Sequence, residues 1–304
     1  MEPTPLLIAV GVAKSFGAVK ALTDARLSVS EGQIIALMGA NGAGKSTFVK
    51  ILTGALKPDS GQVSIRGSHA RVGNPMQARR AGLVPVYQEP SLIPHLEIVD
   101  NLRLNNTPAL PFQSWVRKLG INDLKLNAMI RDLPLATLRI IDLARALAAD
   151  PKVLLLDEMT AALPTNLVER VLEVVRHKAD EGIGIIYVSH RFSEISALCD
   201  RATILRDGKS VGDLDITPGV EDRAVELMLG RKINLKDREK KSPAKRKSGT
   251  PRLSLHNLEA PPKLSNVSFD LYKGEVLGVI ALEGQGQDEL FDVLAGFKKC
   301  SIPF

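Results

Sequence analysis

A lysine, a serine and a threonine, Lys45-Ser46-Thr47, follow a glycine-rich run, Gly39-Ala40-Asn41-Gly42-Ala43-Gly44. Glycine admits backbone conformations closed to residues with a Cβ, so the successive N–H groups of such a loop can converge on phosphate oxygens. Lys45 supplies a mobile cation for terminal phosphates and Ser46 a hydroxyl for Mg²⁺. A helix opening at Lys45 brings the positive end of its dipole to the same anion. Far downstream, Asp157 and Glu158 close an apolar run, Val153-Leu154-Leu155-Leu156. Two adjacent carboxylates can divide the labour of phosphoryl transfer to water, Asp157 holding Mg²⁺ and Glu158 polarising the attacking water. His190 ends a second apolar run, where an imidazole can reach a terminal phosphate. The remaining histidines, His69, His95, His177 and His256, have no comparable setting and read as surface residues.

Parallel strands and helices must position these groups. Residues 34–38 read as a buried strand feeding the glycine loop, with a helix from Lys45 to about Leu52. Short strands are expected at residues 6–10 and 27–30, and at 63–65 after the turn at 54–61. A strand at 83–87 delivers Gln88 to the end of the sheet. Residues 90–147 carry short helical patterns broken by Pro94, Pro108 and Pro111, a helical insertion outside the main sheet, closing on an amphipathic helix at 138–147. Strands at 153–156 and 183–188 flank a helix at 165–180, and further along come a strand at 201–206, a turn at Asp207-Gly208 and a helix at 223–229. Strand, helix, strand, with polar residues at each strand's C-terminal end, is the α/β arrangement in which ligands bind at those ends. Phe16, in Lys14-Ser15-Phe16-Gly17, sits where a ring stacks on a nucleotide base or fills the core, and position alone leaves both open.

The chain has 304 residues, 44% of them hydrophobic, enough for a sizeable core and one or two domains. Its two cysteines, Cys199 and Cys300, stand far apart without metal-ligand spacing, which suits a reducing cytoplasm. The longest apolar runs are strand-sized and no N-terminal targeting pattern is present, so the chain is not expected to cross a membrane by itself. The net charge of +6 suggests nucleic acid until it is located. Residues 231–252 hold ten basic and two acidic residues, which leaves 30 basic and 32 acidic for the rest, a net −2. That segment, with Ser242-Pro243 and Gly249-Thr250-Pro251, has the composition of a linker, and nucleic acid is not an expected partner.

Beyond it the chain begins again. Residues 253–258, 264–269 and 273–280, followed by a glycine loop, repeat the order of the first forty, an internal duplication cut off early at Phe304. The expected division is a first domain at 1–230, a basic linker at 231–251 and the start of a second domain at 252–304.

The phosphate loop, Gln88 in Tyr87-Gln88-Glu89, Ala144-Arg145-Ala146-Leu147, Leu154-Leu155-Leu156-Asp157-Glu158 and Ser189-His190-Arg191, in that order, resemble the nucleotide-binding subunit of an ABC transporter. The tandem copy is similar to the duplicated ATPase subunits of bacterial monosaccharide importers of the ribose and xylose type. The resemblance implies a P-loop ABC cassette of α/β class with an antiparallel β subdomain and a helical insertion, plus the N-terminal start of a second cassette. It implies ATP and Mg²⁺ as ligands. Residues 39–47 become the nucleotide cradle, Phe16 the base-stacking ring, and Ser46, Gln88 and Asp157 the metal ligands. Glu158 becomes the hydrolytic glutamate and His190 the switch histidine. The implied partners are membrane permease subunits, a second cassette or homodimer partner and, indirectly, a periplasmic sugar-binding protein, at the cytoplasmic face of the inner membrane.

Several positions depart from that pattern. The family signature Leu-Ser-Gly-Gly-Gln reads Leu133-Pro134-Leu135-Ala136-Thr137, and Pro134 offers neither hydroxyl nor N–H to a phosphate. Met159 and Pro164 replace the usual proline and aspartate of the segment after Glu158. The second loop, residues 281–288, has Gln287 in the lysine position and Asp288 in place of Ser/Thr, and should bind triphosphate poorly. In ABC dimers each ATP lies between the loop of one cassette and the signature of the other, so the two degenerate elements belong to one site. Two other readings differ in class: a soluble two-cassette protein acting on ribosomes or nucleic acid, and a catalytically impaired remnant.

Overall fold

The computed structural model describes residues 5–65, 73–161, 163–231, 249–261, 263–280 and 285–299. The chain divides into two compact units, residues 1–233 and 234–304. Residues 232–248, most of the expected linker, lie outside the described residues, as do residues 281–284 of the second loop and His69.

In the first unit nine strands form one sheet in the order β4-β1-β2-β9-β8-β3-β7-β6-β5. They are β1 Pro5–Phe16, β2 Val19–Ser30, β3 Ile34–Met38, β4 Ser60–Ile65, β5 Leu83–Val86, β6 Val153–Asp157, β7 Gly184–Val188, β8 Arg201–Arg206 and β9 Lys209–Asp215. β8, β3, β7, β6 and β5 are parallel neighbours, while β4, β1 and β2 pair antiparallel, as do β8 and β9. The fold is therefore of α/β class, a largely parallel sheet with an antiparallel β region, as the resemblance implies. The short strands expected at 6–10 and 27–30 are instead two twelve-residue strands with register shifts, joined by a tight turn at Gly17. Hydrogen bonds across the hairpin carry them past the hydrophobic runs, and a bulge absorbs Gly11 at φ +62°.

Pleating splits the core. Ile34, Ala36 and Met38 of β3, Leu154 and Leu156 of β6, and Ile185 and Tyr187 of β7 face one apolar cluster. Ile35, Leu37, Val153, Leu155, Ile186 and Val188 face the other. Both faces of these strands are covered, which is why they read as unbroken hydrophobic runs. On one side lies α1, Lys45–Leu52. On the other lie the helices of the insertion, α3 Ile98–Leu104, α4 Ala109–Lys118 and α5 Leu135–Ala148, with one 3₁₀ turn at Ile130–Asp132. α2 Pro75–Arg80 and α7 Phe192–Leu198 are additional to the elements expected, whereas α6 Thr165–Asp180 matches and α8 Glu221–Leu229 starts two residues early. The helix expected to be amphipathic is not so. Every residue of α5 from Arg139 to Leu147 is buried, because the insertion packs over the side that would otherwise face water.

The second unit contains a hairpin, β10 Leu253–Ala260 with β11 Leu264–Leu271, and helix α9 Gln287–Leu294. The strand expected at 273–280 does not form. Val276 is 97% and Ile280 98% exposed. The matching strand of the first unit, β3, is held between β7 and β8, and the described residues of the second unit provide no such neighbours. An isolated apolar strand has neither ladder partners nor a surface to cover it.

Candidate functional site

The parallel strands end on one edge, and the expected groups gather there. β3 runs into the glycine loop. Gly44 caps α1 in the left-handed region, at φ +101°. A Cβ on Gly44 would lie 2.6 Å from the Ala21 carbonyl oxygen, and one on Gly39 would lie 2.4 Å from that of Leu205. Both glycines are thus required by close backbone approach. Gly42, at φ +82°, faces open space and is required by conformation alone. Ala43 N–H donates to the Ala40 carbonyl at 3.1 Å, and Gly208 N–H to that of Ala43 at 3.1 Å, which pins the loop to the β8–β9 turn. The opening amides of α1, at Lys45, Ser46 and Thr47, have no partner within the helix by construction and point out of its N-terminus.

Lys45 Nζ arches over the loop, donating to the carbonyls of Gly39 at 2.7 Å and Ala40 at 3.2 Å. Burial lowers its pKa, against the attraction of Glu158 and Asp157, which favours the ammonium. Asp157, last residue of β6, has its pKa raised to about 6, chiefly by burial and secondarily by the Glu158 charge, with Lys45 opposing. Even so raised, the group is mostly ionised at neutral pH, the form that a divalent cation needs. The Ser46 hydroxyl and this single carboxylate fit the donor set of Mg²⁺, which prefers one or two protein oxygens beside phosphate and water.

Glu158 begins where β6 stops. Its backbone sits at φ +47°, a region that side-chain-bearing residues rarely enter. Two contacts over-determine that conformation: its N–H donates to the Val188 carbonyl at 2.9 Å, and its carbonyl accepts from Arg139 Nη1 at 2.8 Å. The same Nη1 donates to the Met159 carbonyl at 2.8 Å. Strain of this kind costs about 1–3 kcal/mol and persists only where the surroundings enforce it. Register explains the next contact. Asp157 pairs with Val188, so the residue after β6 and the second residue after β7 are brought together. His190 Nδ1 lies 3.5 Å from Glu158 Oε1.

Gln88 is exposed two residues past β5, at the same edge, with β6 and β7 between it and β3. Phe16 closes β1 with half its surface exposed, so the core alternative is excluded. Lys14 Nζ stands 5.9 Å from its ring centroid. Pro134 caps α5 without a side-chain hydrogen bond, and Leu135, Ala136 and Thr137 make the helix's first turn, with Leu133 in extended backbone ahead of it. Among the described residues the three histidines other than His190, His95, His177 and His256, are exposed, as expected.

Two buried charges that support the site, Arg139 and Glu194, are not among the residues expected from sequence. Arg139 fixes the backbone of Glu158 and Met159. Glu194 of α7 takes hydrogen bonds from Tyr187, Thr160, Ser189 and Arg191. Both had a signal: each occupies a position at which helical periodicity, Ile140 and Ile141 beside the one and Ile195 and Leu198 beside the other, places a residue in the core.

Comparison with known proteins agrees with this geometry. The family model described as ABC transporter matches residues 22–161. A ribose import ATP-binding protein of Rhizobium johnstonii is 37% identical over 306 residues, covering 97% of this chain and 59% of the relative. Another, of Streptomyces avermitilis, is 35% identical, covering 98% of this chain and 60% of the relative. The chain thus spans about three fifths of the length of the curated relatives it matches. Among solved structures, a nucleotide-free ATP-binding cassette from an ABC transporter aligns with TM-score 0.66 at 21% identity, covering 74% of this chain and 98% of its own. A dimeric cassette bound to ADP and phosphate aligns with TM-score 0.61 at 22% identity, covering 70% and 99%. At such identity these two speak for the fold alone.

Proposed function

We propose, on the premise that residues 22–161 lie in an ABC transporter ATP-binding domain, that the first unit binds MgATP and hydrolyses it to drive import of a small sugar through a separate membrane permease. One observation carries the reading: the parallel sheet brings the glycine loop with Lys45, the Asp157 carboxylate, and Glu158 with His190 at 3.5 Å to a single edge. Residues 39–47 cradle the phosphates, Lys45 bridges the terminal ones, and Phe16 stacks on the base. Ser46, Gln88 and Asp157 hold Mg²⁺, which supplies charge neutralisation on the phosphates when bound. Glu158 orients and polarises the attacking water, and His190, beside it, contacts the terminal phosphate. The sugar assignment rests on the names of the relatives, ribose import proteins.

The second unit corresponds in this reading to the start of a second cassette, after a linker at 231–251. Its loop has Gln287 in the lysine position and Asp288 in place of Ser/Thr, and binds triphosphate poorly. Titration with a fluorescent ATP analogue and Mg²⁺ tests the reading: saturable binding, competed by ATP, is expected. Co-expression with a ribose permease should then yield a complex whose ATPase rate rises with sugar-loaded binding protein. A chain that binds no nucleotide, or that never enters such a complex, would refute it.

A further inference from the structure

Beneath the edge where Glu158 and His190 meet lies a carboxylate that phosphoryl transfer does not itself use. Glu194 is 5% exposed. Its Oε2 accepts from Tyr187 Oη at 2.7 Å, Thr160 Oγ1 at 2.8 Å and Ser189 Oγ at 3.1 Å, and its Oε1 accepts from Arg191 Nη1 at 3.2 Å. Arg191 adds two links of its own, its N–H donating to Ser189 Oγ at 3.1 Å and its Nη2 to the Ala161 carbonyl at 3.3 Å. A buried carboxylate is costly unless its lone pairs are filled and its charge is answered, and here three hydroxyls and a guanidinium do both.

The donors come from two segments that share nothing in sequence. Thr160, which donates, and Ala161, whose carbonyl accepts from Arg191, lie two and three residues past Glu158. Ser189 and Arg191 flank His190. One carboxylate therefore ties the two backbone segments from which the 3.5 Å pair projects. Satisfying a core charge would require donors from anywhere; drawing them from these two segments is what a purely packing role leaves unexplained.

We propose that Glu194 is a positioning residue for hydrolysis, setting the separation and orientation of Glu158 and His190 from below. The inference rests on the ATPase reading above and extends it. None of the hydrogen bonds of Glu194 reaches the phosphate loop, so it acts on turnover rather than on nucleotide affinity. Misplacing a reacting group by about 1 Å costs about 10²-fold in rate.

The test uses the full chain, with affinity from a fluorescent ATP analogue and single-turnover hydrolysis from radiolabelled MgATP. Glu194→Gln keeps the volume and removes the charge and one acceptor. It should leave affinity within about twofold while hydrolysis falls about 10²-fold, and should cost almost nothing more in a His190→Ala background, because residues acting as a unit are non-additive. Thr160→Val and Ser189→Ala each cut one link, should each lower hydrolysis by a smaller factor, and carry the test if Glu194→Gln does not fold. Unchanged hydrolysis in the folded variants, a loss that multiplies in full with His190→Ala, or affinity falling in step with turnover would each overturn the proposal. A wild type that neither binds nor hydrolyses MgATP, indistinguishable from Lys45→Ala, overturns the ATPase reading and this inference with it, and is told apart by that match.

Discussion

The two glycine loops of the chain share a frame and differ in charge. Gly44 and Gly286 each cap an eight-residue helix in the left-handed region, at φ +101° and +99°. A Cβ on Gly44 would meet the Ala21 carbonyl oxygen and the Leu22 side chain, and a Cβ on Gly286 would meet the Lys263 carbonyl oxygen and the Leu264 side chain. Each of the two glycines is thus crowded by a backbone carbonyl and a leucine side chain. Function diverges one residue later. α1 opens with Lys45 and has no acidic residue in its first turn, whereas α9 opens with Gln287 and carries Asp288 and Glu289 there. Carboxylates in a first turn suit the helix dipole and stabilise the helix, yet they repel the anion that the same dipole would otherwise attract. The second loop has kept what makes a helix and lost what makes a phosphate site.

If that contrast is right, exchanging the charges should exchange the behaviour. Lys45→Gln with Ser46→Asp, which writes the second loop's residues into the first, should weaken MgATP binding by about 10³-fold, since two charge-assisted contacts are removed and a repulsion is added. Calorimetric titration measures it, and a variant that still binds as wild type would show the frame alone to be sufficient. Glu158→Gln separates binding from chemistry. Affinity should persist while hydrolysis falls about 10²-fold or more, as expected when a water-polarising base is removed. The reverse graft, Gln287→Lys with Asp288→Ser, should gain little, because residues 276–280 are not anchored as β3 is. Binding stoichiometry should stay near one nucleotide per chain, and two equivalent sites would break the comparison from the other side.

The smallest effect is in pH. The Asp157 carboxyl titrates near pH 6, above its ordinary 3.8, because burial disfavours its charge. If Asp157 holds Mg²⁺ as proposed, the cation needs its carboxylate form, and Mg²⁺-dependent ATP affinity should fall roughly tenfold per pH unit below about 6. Stability runs the opposite way. The folded state binds this proton more tightly than the unfolded state, so the group favours folding below the ordinary pKa and loses that contribution as pH rises through about 6. Asp157→Asn should therefore raise the melting temperature by a few degrees at pH 7.5 and hardly at all at pH 4. Equal shifts at both pH values would mean that charge burial at Asp157 is not what the substitution relieves.

Local requirements were legible from the residues. Gly44 and Gly286 announce left-handed caps because only glycine meets a close backbone approach there, and α6 was bounded correctly because its apolar residues, Val168, Val171 and Val175, recur at helical spacing. The order of strands ending at Asp157 and Val188 limited which groups could share an edge. What neighbours provide was not legible. An apolar run becomes a strand only if other strands flank it, so residues 34–38 form β3 and residues 276–280 form none. A helix becomes buried on all sides only if an insertion covers it, as happens to α5. Arg139 and Glu194 look in sequence like charges for solvent, and the tertiary structure made them internal supports of Glu158 and His190. Only a folded environment can satisfy a buried charge, and no stretch of sequence contains the donors and acceptors that do so.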